Sequence, residues 1–422
     1  MGRILEASRR AAASGRYFHW EKLRRRKPPL ELSHEEWWLA LKLARSGLLR
    51  EVPLRDTQGR AFRFGLPDPA AEHLHHIDQD AAGRIEMAAD GIANSGTRSR
   101  YIIHSLLEEA ITSSQLEGAA TTRRVAKEMI RSGRPPRDRD ERMILNNYVA
   151  MQEIRGFRDR PLSPEAVLEL HRVLTADTLD DASAAGRFRR PAERVRVMTP
   201  YNEVLHTPPP AEELEARLGA LCEFANEATP GYFVHPVIRS IILHFWLAYD
   251  HPFVDGNGRC ARALFYWSML RRGYWLCEFI SISQIIKRAP ARYGRAFLYT
   301  ETDENDLTYF VLYHLDVIRA AIRELHAYIA AKTQEVRRTE RLIRASAGLN
   351  HRQVALLDHA IRHPEAAYTI ASHRMSHGVV YQTARSDLQD LARKGLLTER
   401  KAGRRFVYSP VEDLAEKLEG LG

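Results

Sequence analysis

Cysteine is scarce in this chain of 422 residues. Its three copies, Cys222, Cys260 and Cys277, are odd in number and show no CxxC spacing, which removes a disulfide scaffold and a cysteine zinc site from consideration. Long apolar runs are missing too. Nothing approaches the roughly 18 residues of a membrane span, and the N-terminal stretch MGRILEASRRAAASGRYFHW has no apolar core of a secretory signal, so no membrane association and a cytoplasmic location are expected. Internal repeats and low-complexity tracts are also lacking, which sets aside solenoids and disordered tails. What remains is 44% hydrophobic and 28% charged, the balance of a chain able to bury a core. Lys and Arg total 63 against 54 Asp and Glu, a formal charge of +9 that points weakly to nucleic acid or nucleotide phosphate.

The length exceeds one ordinary domain of roughly 100–200 residues, and the pattern divides it in three. Residues 1–90 read as a small α+β region. Trp20, Trp37 and Trp38 supply three of the six tryptophans. They flank a basic run at 22–27 that reads either as a nucleic-acid contact or as a solvated face. Ser33 and Glu36 form a capping box that opens a helix through Ser46, and residues 55–64 read as a hairpin turning near Gln58 and Gly59. Residues 98–345 are helical, with apolar residues at spacings of three and four in 101–111, 123–130, 143–154, 166–174, 211–226 and 236–249. A β-prone stretch at 195–205 interrupts them around a Pro-Tyr-Asn turn, as a flap would, and a long helix is expected over 307–343. Residues 349–422 follow the order helix, helix, helix and two-stranded wing of a winged helix-turn-helix, with helices expected at 351–363, 368–373 and 379–394. Between Arg374 and Tyr408 eight basic residues face three acidic ones. Asp387 and Asp390 sit on the helix that would enter a DNA groove, which counts against DNA.

The densest chemistry lies at 251–262, HPFVDGNGRCAR. A helix, a Gly-Asn-Gly loop and a second helix, expected from 261 to 271, gather unpaired backbone N–H groups into an anion nest, for which phosphate is the natural guest. Arg259 and Arg262 share a helix face and can fork onto phosphate or carboxylate oxygens. Asp255 would repel phosphate unless a cation lay between them, and Mg²⁺ suits one carboxylate plus phosphate oxygens. His251 titrates where a general base for a hydroxyl is needed. Each residue also has a plainer reading as a cap, a turn or a solvated arginine. The alternative of His244, His251 and Asp255 as metal ligands would need side chains two helical turns, about 10 Å, apart to converge.

The string resembles the active-site motif of the Fic family, HxFx(D/E)GNGRxxR, and matches all eight fixed positions, each met by chance on the order of one time in twenty. The resemblance implies a mainly α fold: a Fic-type helical core with a small β-hairpin flap, accompanied in some members by an N-terminal region and a C-terminal winged helix. It implies transfer of AMP from ATP to a Ser, Thr or Tyr hydroxyl of a target protein. In that reading His251 is the base, Phe253 anchors the loop, Asp255 holds Mg²⁺, Gly256, Asn257 and Gly258 bind phosphates, and Arg259 and Arg262 hold the β- and γ-phosphates. Upstream, Ser113, Glu117 and Gly118 fit the family's inhibitory motif (S/T)xxxE(G/N), in which the Glu117 carboxylate would occupy Arg262 in place of the γ-phosphate. In some members the same Glu supports removal of AMP, and dimerisation is one route to the latch. Residues 186–210 resemble the target-positioning flap, to which an extended segment adds by main-chain hydrogen bonds. Members that transfer a phosphoryl group instead carry Lys where this chain has Gly256. A DNA-binding regulator with an accessory Fic core is the competing reading.

Overall fold

The computed structural model describes residues 1–81, 95–198, 202–345, 348–402 and 405–419, which fall into two compact units, 1–85 with 102–323 and 86–101 with 324–422. The tip of the expected flap, 199–201, and residues 403–404 of the expected wing lie outside the described residues.

In the first unit, helices α1 (Gly2–Ser14), α2 (Trp20–Leu23) and α3 (His34–Ser46) precede an antiparallel hairpin of β1 (Arg50–Arg55) and β2 (Ala61–Phe64). The capping box is present: Ser33 Oγ accepts from Glu36 N at 3.1 Å while Glu36 Oε2 accepts from Ser33 N at 2.9 Å. The hairpin begins at Arg50 rather than at 55, because Val52 and Leu54 alternate inward with Phe62 and Phe64. Asp56 closes its turn, accepting from Gln58 N and Arg60 N, with Gly59 at φ +77°. Helices α4 (Asp68–Ala81), α5 (Ser95–Leu116), α6 (Arg123–Ser132), α7 (Arg139–Phe157) and α8 (Pro164–Thr175) follow. Strands β3 (Val197–Met198) and β4 (Val204–His206) make a second hairpin before α9 (Leu214–Ala225).

The core is the pair α10 (Pro236–Asp250) and α11 (Asn257–Arg271). Both are buried nearly all round: Ile238, Ile241, Ile242, Phe245 and Trp246 from one, Ala261, Leu264, Phe265, Trp267 and Met269 from the other. Two helices with no polar face must be enclosed by other elements, and that enclosure fixes the loop between them. Phe62 of β2 is part of it, 4.9 Å from the Tyr249 ring and 5.4 Å from that of Phe245. Helix α11 starts four residues earlier than expected, because Gly256 at φ +83° turns the chain straight into the helix. Helices α12 (Ile282–Lys287), α13 (Pro290–Thr302) and α14 (Thr308–Ala345) complete the series. The architecture is mainly helical, and no helix among the described residues is long and apolar enough to cross a membrane.

The second unit carries α15 (His351–Arg362), β5 (Tyr368–Thr369), α16 (Ile370–His377), α17 (Tyr381–Arg393), β6 (Leu397–Ala402), β7 (Arg405–Pro410) and α18 (Leu414–Glu419), with sheet order β5-β7-β6. Tyr368 and Thr369, expected in a helix, pair with Tyr408 and Val407 instead, and Thr369 then caps α16 through Ser372. Leu356, Leu357, Leu388, Leu391 and Leu396 form the core. Asp387 is a polar hub 4% exposed, accepting from Asn350 Nδ2, Arg352 Nε and His373 Nε2 at 2.7–3.1 Å.

Candidate nucleotide and acceptor site

His251 caps α10 in the left-handed region, φ 47° and ψ 55°, with its N–H on Leu247 O. Its Nδ1 meets Ala248 O at 3.2 Å. A carbonyl only accepts, so Nδ1 carries the proton and Nε2 is left as the basic nitrogen. Burial holds the pKa down at about 4, which keeps the ring neutral well below neutral pH.

The loop after it is tied from four sides. Phe253 is fully buried with its ring stacked on His171 at 3.8 Å, and Asn257 spans the Phe253 peptide, accepting from its N–H at 2.9 Å and donating to its carbonyl at 2.8 Å. His171 Nδ1 accepts from Gly186 N, so Nε2–H donates to Asp255 O at 3.0 Å; burial lowers its pKa to about 4. Arg189 takes the fourth side, with its N–H on Pro252 O and its Nε on His251 O, both 2.9 Å. Neither His171 nor Arg189 stood out in the sequence as part of the site; the only signals were a histidine on an apolar helix face and the run GRFR. The Asn257 side chain is thus spent on the loop, leaving its backbone N–H to the nest. Gly256 admits no side chain: a Cβ there would lie 2.8 Å from Thr175 Cγ2, on top of the positive φ.

At the head of α11 the N–H groups of Asn257, Gly258 and Arg259 precede the first helical bond, Cys260 N to Gly256 O. Arg259 is 0% exposed, donates through Nη1 to Leu174 O at 2.8 Å, and has no hydrogen-bond partner for Nε or Nη2 among the described residues. Its approach to Asp255 Oδ2 is a long 3.6 Å, and Arg139 Nη2 stands 3.5 Å from the same oxygen. A single carboxylate beside open N–H groups and unfilled guanidinium donors suits one cation shared with phosphate. Among the described residues no group of three or more carboxylate, His or Cys side chains could hold a metal alone. His244 is turned elsewhere, its Nε2 meeting Tyr293 OH at 2.8 Å.

Arg262 is 2% exposed and engaged by the chain itself. Its Nε donates to Ser113 Oγ at 2.8 Å, and its Nη2 donates to Ser113 O at 3.0 Å and Glu117 Oε1 at 2.8 Å. Burial works against the guanidinium charge, yet Glu117 and Tyr293 beside it leave its pKa raised. Gly118 at φ +100° ends the segment after α5, and Gly258 is where the carboxylate rests: a Cβ there would collide with Glu117, 2.8 Å from Cδ. The structure therefore brings His251, Asp255, Gly256, Asn257, Gly258, Arg259, Arg262, Ser113 and Glu117 around one nest. On its other side, β4 of the flap is fixed by His206, whose Nε2 meets Tyr249 O at 2.7 Å and whose Nδ1 meets Glu301 Oε2 at 2.8 Å.

The helical pair and its connecting loop have counterparts among known proteins. Residues 161–269 match the model of the Fic/DOC family. The chain is 24% identical over 276 residues to a protein adenylyltransferase Fic of Nematostella vectensis, covering 63% of this chain and 59% of that protein. It is 31% identical over 113 residues to the protein adenylyltransferase fic-1 of Caenorhabditis elegans, covering 27% of this chain and 20% of that one. The chain thus spans less than two thirds of either curated relative. A Fic family protein from Desulfovibrio desulfuricans G20 has the same fold at TM-score 0.51 and 18% identity, covering 81% of this chain and 94% of its own.

Proposed function

We propose that this chain transfers AMP from ATP to a hydroxyl of a target protein and that Glu117 holds the reaction back. The observation that carries the reading is the 2.8 Å contact of Glu117 Oε1 with Arg262 Nη2, next to an Arg259 whose Nε and Nη2 are unfilled. In the reaction, the acceptor hydroxyl delivered along the flap gives its proton to His251 Nε2. Its oxygen bonds the α-phosphorus, and the bond from that phosphorus to the bridging oxygen breaks, releasing pyrophosphate. The N–H groups of Asn257, Gly258 and Arg259 and the Arg259 guanidinium receive phosphate oxygens. Asp255 would hold Mg²⁺, which neutralises charge on the leaving pyrophosphate. With Glu117 in place, the γ-phosphate cannot reach Arg262, and ATP is held without the alignment an in-line displacement needs. The Gly256 pocket, closed to any side chain, favours AMP transfer over a loop bearing Lys.

Labelling with ATP tagged on the α-phosphate tests this. Glu117→Gly raises transfer about ten- to hundredfold, the range of a charge-assisted bond of roughly 1.5–3 kcal/mol, and His251→Ala in that background lowers it about 10²–10⁴-fold. Transfer of a γ-tag instead would refute the nucleotide orientation. A carboxylate at position 117 would also activate water for removal of AMP, in which case Glu117→Gln loses removal and keeps transfer.

A second reading concerns residues 349–422, which we infer to be a winged helix contacting duplex DNA. Supporting it, Asp387 is buried in its hub and Asp390 accepts from Gln353 and meets Lys394 at 2.9 Å, so neither acid that counted against DNA stands free on α17. The exposed residues of that helix include Tyr381, Gln382, Arg385 and Ser386. At the wing, Arg405 of β7 is exposed and suited to a phosphate contact, while its neighbour Arg404 lies outside the described residues. Arg385→Ala with Arg405→Ala should flatten the salt dependence of duplex binding by about two phosphates; no binding at low salt dismisses the reading.

A further inference from the structure

The first unit has a concavity that the transfer reaction does not use. It lies between α2, α3 and α13, has room for about 1090 Å³, and is walled by Trp20, Trp38, Leu298 and Tyr299 with Lys22 and Arg295 at its edge. It is a groove open to solvent rather than an enclosed small-molecule cleft, a shape that suits a stretch of polypeptide.

Its charges are unevenly answered. Glu21 pairs with Arg24 at 2.8 Å, Asp303 with Lys42 at 2.7 Å, and Glu304 with Lys42 at 3.3 Å and Arg63 at 3.4 Å. Of the acidic lining, these three are neutralised from within, leaving Glu35 at the start of α3. Lys22 and Arg295 have no ion-pair partner among the described residues. Partial burial lowers the Lys22 pKa, and the positive charges of Arg292, Arg295 and Arg26 lower it further against a smaller opposing pull from Asp316, so like charges outweigh the acid around its ammonium. Acidic groups entering the groove would relieve that repulsion.

The aromatic walls select among acidic polymers. Tyr299 already has His19 stacked on it at 4.1 Å and Lys22 over its ring at 5.7 Å, while Trp20 and Trp38 meet edge to face at 6.0 Å. Nucleobases need open ring faces to stack upon, and Tyr299 already carries His19 on one face with Lys22 over its ring, so it offers little for a base. Carboxylates alternating with aliphatic side chains use the same surface without stacking. Position adds to this: α13 presents Arg295, Leu298 and Tyr299 to the groove and, through Glu301, holds His206 of flap strand β4. One helix thus borders both the groove and the flap.

We propose that this groove docks an acidic, partly aliphatic segment of the target protein while the acceptor hydroxyl lies along the flap. The proposal rests on the transfer reading above, and its test separates the two. Anisotropy of a fluorescein-labelled decapeptide alternating Glu and Leu is measured with the full chain and with Lys22→Glu/Arg295→Glu, both exposed positions. Salt-sensitive binding that weakens at least tenfold in the variant, with unchanged thermal midpoint and no binding of a Lys–Leu decapeptide, is the expected result. Equal affinity of the two proteins, or no binding to either, overturns it. Binding of a single-stranded oligonucleotide that the variant loses, with the Glu–Leu peptide indifferent, reassigns the groove to nucleic acid and overturns it as well. In the Glu117→Gly background, α-tag labelling of an extended Thr peptide joined to the Glu–Leu stretch should fall at least tenfold with the reversal, while labelling of the same Thr peptide without that stretch stays unchanged. If no tag transfers anywhere, the transfer reading fails and the anisotropy result still decides the groove.

Discussion

Arg259 and Arg262 are three residues apart on the first turn of α11, and both are buried, at 0% and 2% exposure. Their surroundings differ. Arg259 has one carbonyl, a distant carboxylate and two unfilled donors, whereas Nε and Nη2 of Arg262 are filled by Ser113 and Glu117. A buried charge without good partners is costly, so the Arg259 side is suited to an incoming anion, while the Arg262 side already holds a carboxylate of the chain. In the reading proposed above, this half-filled arrangement is a nucleotide site restrained by Glu117.

The widest gap between the two arginines should appear on truncation. In the Glu117→Gly background, Arg259→Ala removes donors aimed at transferring charge and should cost about 10²–10³-fold in α-tag transfer, the range for losing such a donor. With Glu117 intact, Arg262→Ala should change transfer little, because its Nη2 is already taken by that carboxylate; a large loss there would mean that Arg262 reaches phosphate despite Glu117. Glu117→Gly itself should lower the thermal midpoint without nucleotide, because Arg262 is left buried and unpaired, and ATP should restore it.

The two sides also differ in how far they could be read from sequence. The loop was legible because its chemistry is contiguous: His251, Asp255 and the two arginines fall within twelve residues. The groups that hold it were not. His171 and Arg189 lie 80 and 62 residues before His251, and their roles come from tertiary contacts that no local pattern encodes. Glu117 was reached through a motif, but that its carboxylate rests against Gly258 is a fact of packing. Among the elements, periodicity located the long apolar helices well, while Tyr368 and Thr369 went from helix to strand because Tyr408 and Val407 offered a ladder. The inward turn of Asp387, 4% exposed, takes that acid off the exposed face of α17, which no helical period could have told.

A pH series sharpens the comparison on the base side. His251 and His171 both have pKa values held down at about 4 by burial, against an ordinary 6.5. The unfolded chain takes up these protons at the ordinary value and the folded chain refuses them, so their stabilisation is complete above about 6.5 and is lost as pH falls through about 4. The thermal midpoint should therefore decline across that window, and the acid limb of α-tag transfer by Glu117→Gly should lie near pH 4. Removing the Glu117 charge favours the same direction, since that carboxylate raises the His251 pKa slightly. A limb near 6.5 would mean that His251 is solvated in the working enzyme or is not the base.

The smallest effect belongs to Arg139, which approaches Asp255 from outside with Nη2 at 3.5 Å from Oδ2 and its side chain 54% exposed. Arg139 and Arg259 flank the same carboxylate oxygen, one in solvent and one buried. Solvent screening limits exposed pairs to roughly 0–1 kcal/mol, so Arg139→Ala should change transfer only a few-fold, and that change should shrink further at high salt. Its value lies in the direction. If Arg139 merely neutralises Asp255, its loss leaves the carboxylate freer for Mg²⁺, and the metal concentration for half-maximal transfer falls. If Arg139 instead supports the leaving pyrophosphate, that concentration stays where it was and kcat drops.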